Sequence, residues 1–313
     1  MPESKASFQN LKIAAKFLLI LAFFALAYNY ILTHLDEFKK ILQLSWQEYS
    51  LLSLIFLSGI VVYAWIFNLA LKSLNLSLSL REWLGLTILD NYSNYLFFKA
   101  GIFARGFYLK KIHGLSYAKF FAIFIFLSIT RLICLAAVPL GVIMYRFLVT
   151  GTFNLNVFII FACLVLFGSA SFFIPLKRII SWLDKKNARL SKALKEWYRV
   201  RTNSRLFFKV VSFFLFYIFI SSFRIFLIYG FVYKPIDFSS AIIIASVGFM
   251  SFLFSVTPAA LGIKEALMSY VAKLIGENFT DTMVVASLDR VITMAWILLS
   301  GFIFSIWYAR RIK

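Results

Sequence analysis

The sequence predicts an all-α polytopic membrane protein: six transmembrane helices and two re-entrant helical hairpins, forming one domain with an inverted repeat. Three observations predict it. Hydrophobic residues make up 62% of the 313 positions, with a mean hydropathy of +0.87, against ~45–50% apolar in soluble domains. Six apolar runs approach or exceed the ~20 residues that a helix needs to cross a bilayer. Two further apolar stretches are broken in the middle, and the distribution of Lys and Arg makes each of them enter and leave on one side.

The six runs are Ile13–Leu32, Tyr49–Leu71, Phe120–Phe147, Val157–Pro175, Val210–Val232 and Thr282–Tyr308. The first has no small-residue cleavage site before the charged stretch His34–Lys40, so it reads as a retained helix rather than a signal peptide. The broken stretches are Leu80–His113, interrupted at Lys99-Ala100-Gly101, and Phe238–Ile275, interrupted at Thr257-Pro258. Each is a pair of complete spans or a hairpin, and basic residues decide between these, because they stay cytoplasmic. Residues 177–209 hold eleven Lys/Arg and two acids, Asp184 and Glu196, a net charge of 11 − 2 = +9. Lys5, Lys12 and Lys16 lie before the first run, and Arg310, Arg311 and Lys313 after the last. With one hairpin entering from the cytoplasm and the other from outside, every basic cluster falls inside. Both termini are then cytoplasmic, and the expected location is the bacterial inner membrane.

The hairpin regions also match each other in spacing. Gly101 through Arg105 opens a helix that reaches Gly114 and precedes a span carrying Arg131, 26 residues beyond Arg105. Thr257 through Glu265 opens a helix that reaches Gly276 and precedes a span carrying Arg290, 25 residues beyond Glu265. The expected domain is therefore 1–313, with repeat one at 49–147, repeat two at 210–308 and a basic loop at 176–209. Inverted repeats with broken helices are an architecture of transporters. Two amphipathic segments lie outside the spans. Leu183, Leu190, Leu194 and Trp197 mark one face of the basic loop, which suits a helix lying on an anionic membrane surface. Leu35, Phe38, Leu42, Trp46 and Tyr49 mark an interfacial helix on the other side.

The formal charge of +20 would suggest nucleic acid in a soluble protein. No nucleic-acid module is present, and the apolar background points to anionic lipid headgroups. Cys134 and Cys163 sit in apolar runs and read as small hydrophobes, so no metal or other cofactor is expected. The two histidines, His34 and His113, have no triad partners nearby in sequence, and Asp90, Glu265 and Asp289 are far apart. Neither set suits a lipid phosphatase or a metal-dependent headgroup transferase, so no enzyme is expected.

The chemistry sits in charges kept inside apolar segments, where each costs at least ~2.5–3.5 kcal/mol at a helix centre. Arg131, Arg224 and Arg290 lie within spans. Lys99, Arg105 and Lys264 lie in the hairpins. Against these six cations stand three acids, Asp90, Glu265 and Asp289, so mutual pairing cannot neutralise the set. Thr257 reads as a helix N-cap and Pro258 as the first helical residue, with Gly101 opening the matching helix. Two helix N-termini at hairpin tips (Gly101, Pro258 and Gly262) would add their dipoles to the field. Surplus arginine beside such ends suits phosphate oxygens. Glu265 is expected to orient one arginine, and Asp90, Asn91 and Asn94 to line a hydrated path. A flexible stem would let Lys99 and Lys264 snorkel instead.

Gly101-Ile-Phe-Ala-Arg105, Tyr108-Leu-Lys-Lys111 and Gly114-Leu-Ser116, within Asn94–Arg131, resemble the first block of the lysylphosphatidylglycerol synthase transmembrane-region family. Pro258-Ala-Ala-Leu-Gly262-Ile-Lys-Glu265, followed by Gly276 and Arg290, resembles its second block. The likeness covers nearly the whole chain. It departs at Ala259 and Ala260, where the family often has glycine, and at Phe98-Lys99, where it often has proline. The resemblance implies a flippase-like protein for lipids or lipid-linked intermediates, without the aminoacyl-transferring domain of the synthases. The expected function is movement of an anionic phospholipid or polyprenyl-phosphate-type lipid across the membrane. The alternative is a non-transporting partner of a lipid- or glycan-synthesis enzyme, recruited through the basic loop.

Overall fold

The computed structural model describes residues 29, 32–97, 99–173, 180–181, 183, 188–251 and 257–312. The first expected span lies almost wholly outside them. Among the described residues every regular element is helical: α1 (Leu35–Lys39), α2 (Trp46–Lys72), α3 (Leu80–Leu96), α4 (Ala100–His113), α5 (Tyr117–Thr150), α6 (Leu155–Phe173), α7 (Ala188–Arg201), α8 (Ser204–Val232), α9 (Phe238–Met250), α10 (Ile263–Leu274) and α11 (Phe279–Ile312), with short 3-10 turns at Lys40–Gln43 and Pro258–Ala260. Five of them, α2, α5, α6, α8 and α11, are long and apolar enough to cross a membrane. The chain is a multi-pass membrane protein.

Local sequence sets the helix ends. Ser45 caps α2 and receives the Glu48 side chain in return. Ser116 and Asn203 accept from the third backbone N–H of α5 and α8, which satisfies donors that a helix start leaves open. At Gly114 the N–H of Leu115 returns to the carbonyl of Leu109, and at Gly276 the N–H of Glu277 returns to that of Ala272. Both glycines have positive φ, 64° and 93°. Both hairpins thus end on the same left-handed stop.

The arms of the two broken stretches are short. At 17, 14, 13 and 12 residues, α3, α4, α9 and α10 reach about 18–26 Å, less than the ~30 Å hydrocarbon core. Each pair lies antiparallel. Arg105 of α4 meets Asp90 of α3, and Tyr108 further along meets Glu82 further back. In the second pair Gly248 of α9 lies against Met268 and Lys264 of α10.

Helix α2 packs along α8. The arm α3 packs on α11, and the arm α9 packs on α5. Each hairpin therefore leans on the long helix that follows the other hairpin. Arms pair within hairpins, α2 meets α3 as α8 meets α9, and α5 crosses α8 as α11 crosses α2. The contact pattern maps onto itself when residues 46–150 and 204–312 are exchanged. Two apolar clusters fill the space between elements, one around Leu86, Tyr108, Phe126 and Val210, the other around Leu52, Ile228, Ala245 and Ala286.

Helix α7 departs from expectation. Its apolar face does not lie free against a lipid surface: Trp197 and Leu194 pack on Ala122 and Ile129 of α5, and Arg201 donates to the carbonyl of Ser171. A ring as large as Trp197 finds more contact in that helix groove than at an interface. Lys192, Lys195 and Arg199 remain exposed on the far face. The segment expected at the interface before α2 is α1 and its 3-10 turn, with Leu42 and Trp46 exposed and Glu37 accepting from Tyr233.

Candidate functional site: a cationic cavity between the hairpins

The charges isolated in the apolar runs converge. A cavity of about 540 Å³ is lined by Lys99, Arg131, Arg224, Lys264 and Arg290, together with Asp90, Asn91 and Asn94. Both hairpin tips border it, through Lys99 and Ile102 on one side and Ala259 and Ala260 on the other. Apolar side chains complete the lining: Ile55, Phe56 and Ile60 of α2, Phe124 of α5, Ile220 of α8 and Ile297 of α11. Arg105 lies next door, in a cavity of about 30 Å³ that shares Tyr63, Asp90, Phe124, Ser128 and Arg131 with the larger one.

Each of the three acids holds one or two of the cations. Asp90 accepts from Arg105 at 2.8 Å. Glu265 accepts from Nε of Arg290 at 2.5 Å. Asp289 holds two partners, Arg224 on one oxygen and Lys264 on the other, each at 2.6 Å. Arg290 also donates to the carbonyls of Ala259 at 2.8 Å and Ala260 at 3.2 Å. That bond set explains the tip. Both alanines have positive φ, 49° and 54°, and the left-handed backbone aims their carbonyls at the guanidinium. Glu265 therefore orients Arg290 from outside the cavity wall, and Gly262 acts as the N-cap of α10 rather than as a lining residue.

The expected helix starts shift. Thr257 does not cap a helix at Pro258; its hydroxyl donates to the carbonyl of Leu261, Pro258–Ala260 is a 3-10 turn, and α10 begins at Ile263. The left-handed alanines interrupt the helical path, because an α-helix cannot run through positive φ. In the first hairpin Lys99, at φ 54°, precedes a helix that opens at Ala100. Gly101 sits where a Cβ would fall 2.2 Å from the carbonyl oxygen of Asp90, and its N–H donates to Asn94. The residue is glycine because the arms touch there.

Helix α2 contributes a feature that no charge pattern marks. Phe56, Tyr63 and Phe67 share one face, and each lies under a different arginine. Arg224 sits over Phe56 at 5.0 Å, Arg131 over Tyr63 at 5.9 Å, and Arg105 over Phe67 at 4.2 Å. Arg131 also donates to the Tyr63 hydroxyl at 3.2 Å. Aromatic faces attract cations, and rings at this spacing spread the three guanidinium groups over about 16 Å along α2. In sequence these rings look like any other apolar residue of a span. The one available signal is the 56/60/63/67 spacing, which puts them on a single stripe.

No curated protein and no solved structure matches this chain. A family model does: the one described as the lysylphosphatidylglycerol synthase TM region matches residues 13–301. With a match that spans both hairpins, four of the five long helices and most of α11, the chain belongs to the lysylphosphatidylglycerol synthase transmembrane-region family.

Proposed function

We propose that this protein is a flippase-like transporter that moves an anionic lipid across the bacterial inner membrane. The observation that carries the reading is the cavity: five cations and a set of apolar side chains line one space, at the meeting point of two hairpin tips. A lipid has the same two halves. Its headgroup would take the arginines, and the first carbons of its tails would lie on Ile55, Phe56 and Ile60. A volume of about 540 Å³ falls within the ~300–1,000 Å³ of small-molecule sites. Membership of a family of membrane domains tied to lipid metabolism or transport supports it.

The finer topology belongs to the same reading. Six spans, two re-entrant hairpins of opposite orientation and cytoplasmic termini follow if Ile13–Leu32 is the sixth span. Self-mapping of the helix contacts supports an inverted repeat, and in such folds the substrate site lies between the repeats. Phosphate entering from the leaflet must shed water. Charge-assisted bonds of ~1.5–3 kcal/mol each would replace that hydration in turn at Arg224, Arg131 and Arg105, the three stations along α2. Alternating access would come from one hairpin loosening toward each side. The protein acts as a carrier and not as an enzyme in this scheme. A lipid-synthesis enzyme remains a candidate partner at the exposed Lys192, Lys195 and Arg199.

The test is movement of a labelled anionic lipid in vesicles containing the purified protein. Transfer is expected for the parent and a loss of more than about tenfold for Arg131→Gln, since each lost charge-assisted bond is worth that ratio or more. No transfer by the parent chain, or transfer by the variant at the parent rate, sinks the reading.

A further inference from the structure

From the difference between the two hairpin bases we infer that the base of the second is an anion site: a single oxyanion, a phosphate or a carboxylate, binds between Arg146 and Ser240 and ties α9 to α5. This site is separate from the central cavity and does not depend on lipid movement.

Each base is a corner of three parts. They are the third residue of the first arm, the residue just before the glycine stop of the second arm, and the end of a long helix from the other repeat. In hairpin one these parts are Glu82, His113 and the end of α11. Glu82 is buried. Its carboxylate takes Arg311 at 2.8 Å and the Tyr108 hydroxyl at 3.1 Å, with His113 Nε2 at 3.3 Å. That corner is closed by an acid of its own. In hairpin two the matching parts are Ser240, Ile275 and the end of α5. Arg146 of α5 again supplies a guanidinium and reaches the third residue of the arm, at 3.1 Å. Here that residue is a serine, so no carboxylate meets the charge. Among the described residues no acid pairs with Arg146. The Ser240 hydroxyl accepts from it, and the hydroxyl's own hydrogen has no acceptor among them.

A cavity of about 120 Å³ opens at this corner, with Arg146, Thr152, Asn154, Ile243, Leu274 and Ile275 in its lining. One water needs only roughly 10–15 Å³, so the space takes one tetrahedral oxyanion. The other polar groups are already engaged. Thr150 donates to the Arg146 carbonyl, which leaves the Thr152 hydroxyl to donate to Thr150. Asn154 donates to the Leu274 carbonyl and accepts from Val157. The guanidinium and the Ser240 hydroxyl are therefore the donors left for a ligand. A guanidinium fork fits two oxygens of one phosphate or carboxylate, and the start of α9 adds its dipole. The acid at that start, Asp237, is exposed and makes no ion pair among the described residues, so water screens it. A bound oxyanion would do for hairpin two what Glu82 does for hairpin one. In the proposed topology this corner faces outward, and the oxyanion comes from the outer water or from a headgroup of the outer leaflet.

Hydrogen exchange of the full chain in maltoside micelles reads this corner apart from the central cavity. Inorganic phosphate, at about ten times its dissociation constant, should slow exchange in residues 238–246 and 151–157 by about tenfold, because local opening must first release the ligand. Sodium chloride at the same ionic strength is the reference. Arg146→Gln should remove the protection. Ser240→Glu should carry the missing carboxylate into the corner, so exchange is slow without phosphate, and phosphate adds less than about twofold. Ser240→Asp does the same with a shorter side chain where glutamate does not fit. A second arm replaces free phosphate with phosphatidylglycerol. Protection by that lipid alone assigns the oxyanion to a headgroup, and protection by free phosphate alone assigns it to the surrounding water. Three results overturn the inference: no protection of the corner by either, equal protection in Arg146→Gln, or protection confined to residues 99–105 and 258–265, the tips at the central cavity. None of these bears on transport, so the flippase reading is tested separately by lipid movement in vesicles.

Discussion

The two hairpins share a plan and differ in where their charges close. In the first, Arg105 on α4 pairs with Asp90 on α3, so the ion pair lies within the hairpin. In the second, Lys264 and Glu265 reach out of the hairpin to Asp289 and Arg290 of α11, and Asp289 passes the connection on to Arg224 of α8. At the bases the pattern reverses. Glu82 at the start of α3 accepts from Arg311 at 2.8 Å, and its backbone carbonyl from Tyr308 at 2.7 Å, both on α11. The base of the second hairpin is held by neutral acceptors, Ser240 taking a bond from Arg146 and the Leu274 carbonyl one from Asn154. Hairpin one is thus tied to α11 by charge at its base and keeps its own ion pair inside the hairpin, while hairpin two is tied by charge near its tip. In an alternating-access cycle the first would swing about its base with its charges intact, and the second would have to break ion pairs to move.

The largest effect that tests this contrast comes from removing one acid on each side. Asp289→Ala strands two cations, the buried Arg224 and the half-buried Lys264. Breaking a buried pair typically costs about 3–5 kcal/mol, and the upper end is expected because Asp289 is 1% exposed and serves both Arg224 and Lys264. Asp90→Ala strands one cation, at a carboxylate 15% exposed, and should cost less. Unfolding of both variants in mixed micelles measures the difference. Equal losses would mean that the two pairings are equivalent and the contrast has no mechanical content.

A middle-sized effect comes from the contact between arms. A Cβ at Gly101 would fall on the Asp90 backbone at 2.2 Å, whereas at Gly248 it would meet the Met268 sulfur at 2.7 Å. Backbone cannot yield as a thioether can. Gly101→Ala should therefore lose about 1–3 kcal/mol, the usual cost of overpacking, and slow lipid transfer by opening the first tip. Gly248→Ala should fall below the lower bound of that range. Matching melting temperatures for the two variants would show that the first hairpin is as compliant as the second.

These differences explain what could be read in the sequence. Long apolar runs specify spans, because length against bilayer thickness is a one-dimensional property. Charges in such runs are visible because they are expensive, which is how Arg131, Arg224, Arg290, Lys264 and Lys99 stand out, and the cavity gathers all five. That Glu265 orients an arginine is suggested by an acid among apolar-segment cations, but that the arginine is Arg290 comes from the fold. Which acid meets which cation elsewhere is a three-dimensional matter. Nothing in the order of residues says that Asp289 serves two partners, or that Asp90 turns to Arg105. The aromatic stripe of α2 is hidden for another reason: aromatics make up 19% of the chain, so Phe56, Tyr63 and Phe67 do not stand out from rings that face lipid. Helix α7 shows the same ambiguity, since an apolar face on a basic segment fits membrane and protein equally well.

The smallest effect separates strain from charge at the tips. Among the described residues, three of the four non-glycines with positive φ are Lys99, Ala259 and Ala260, all lining the cavity. A left-handed residue with a Cβ costs roughly 1–2 kcal/mol, and strain of this kind gathers at functional sites. Glycine relieves it, less about 0.4–1 kcal/mol for the added freedom of the unfolded chain. The pair Ala259→Gly and Ala260→Gly should therefore raise stability by about 1 kcal/mol. The carbonyls still face Arg290, so lipid transfer should continue near the parent rate. Lys99→Gly relieves the same strain in the first hairpin but removes a cation, so it should gain similar stability while weakening binding of an anionic lipid. If the alanine variants instead lose transfer at full stability, the tip of hairpin two works because it is strained: the left-handed backbone then holds the Arg290 carbonyl clamp taut, and glycine, by letting it relax, leaves the guanidinium turned away from the cavity.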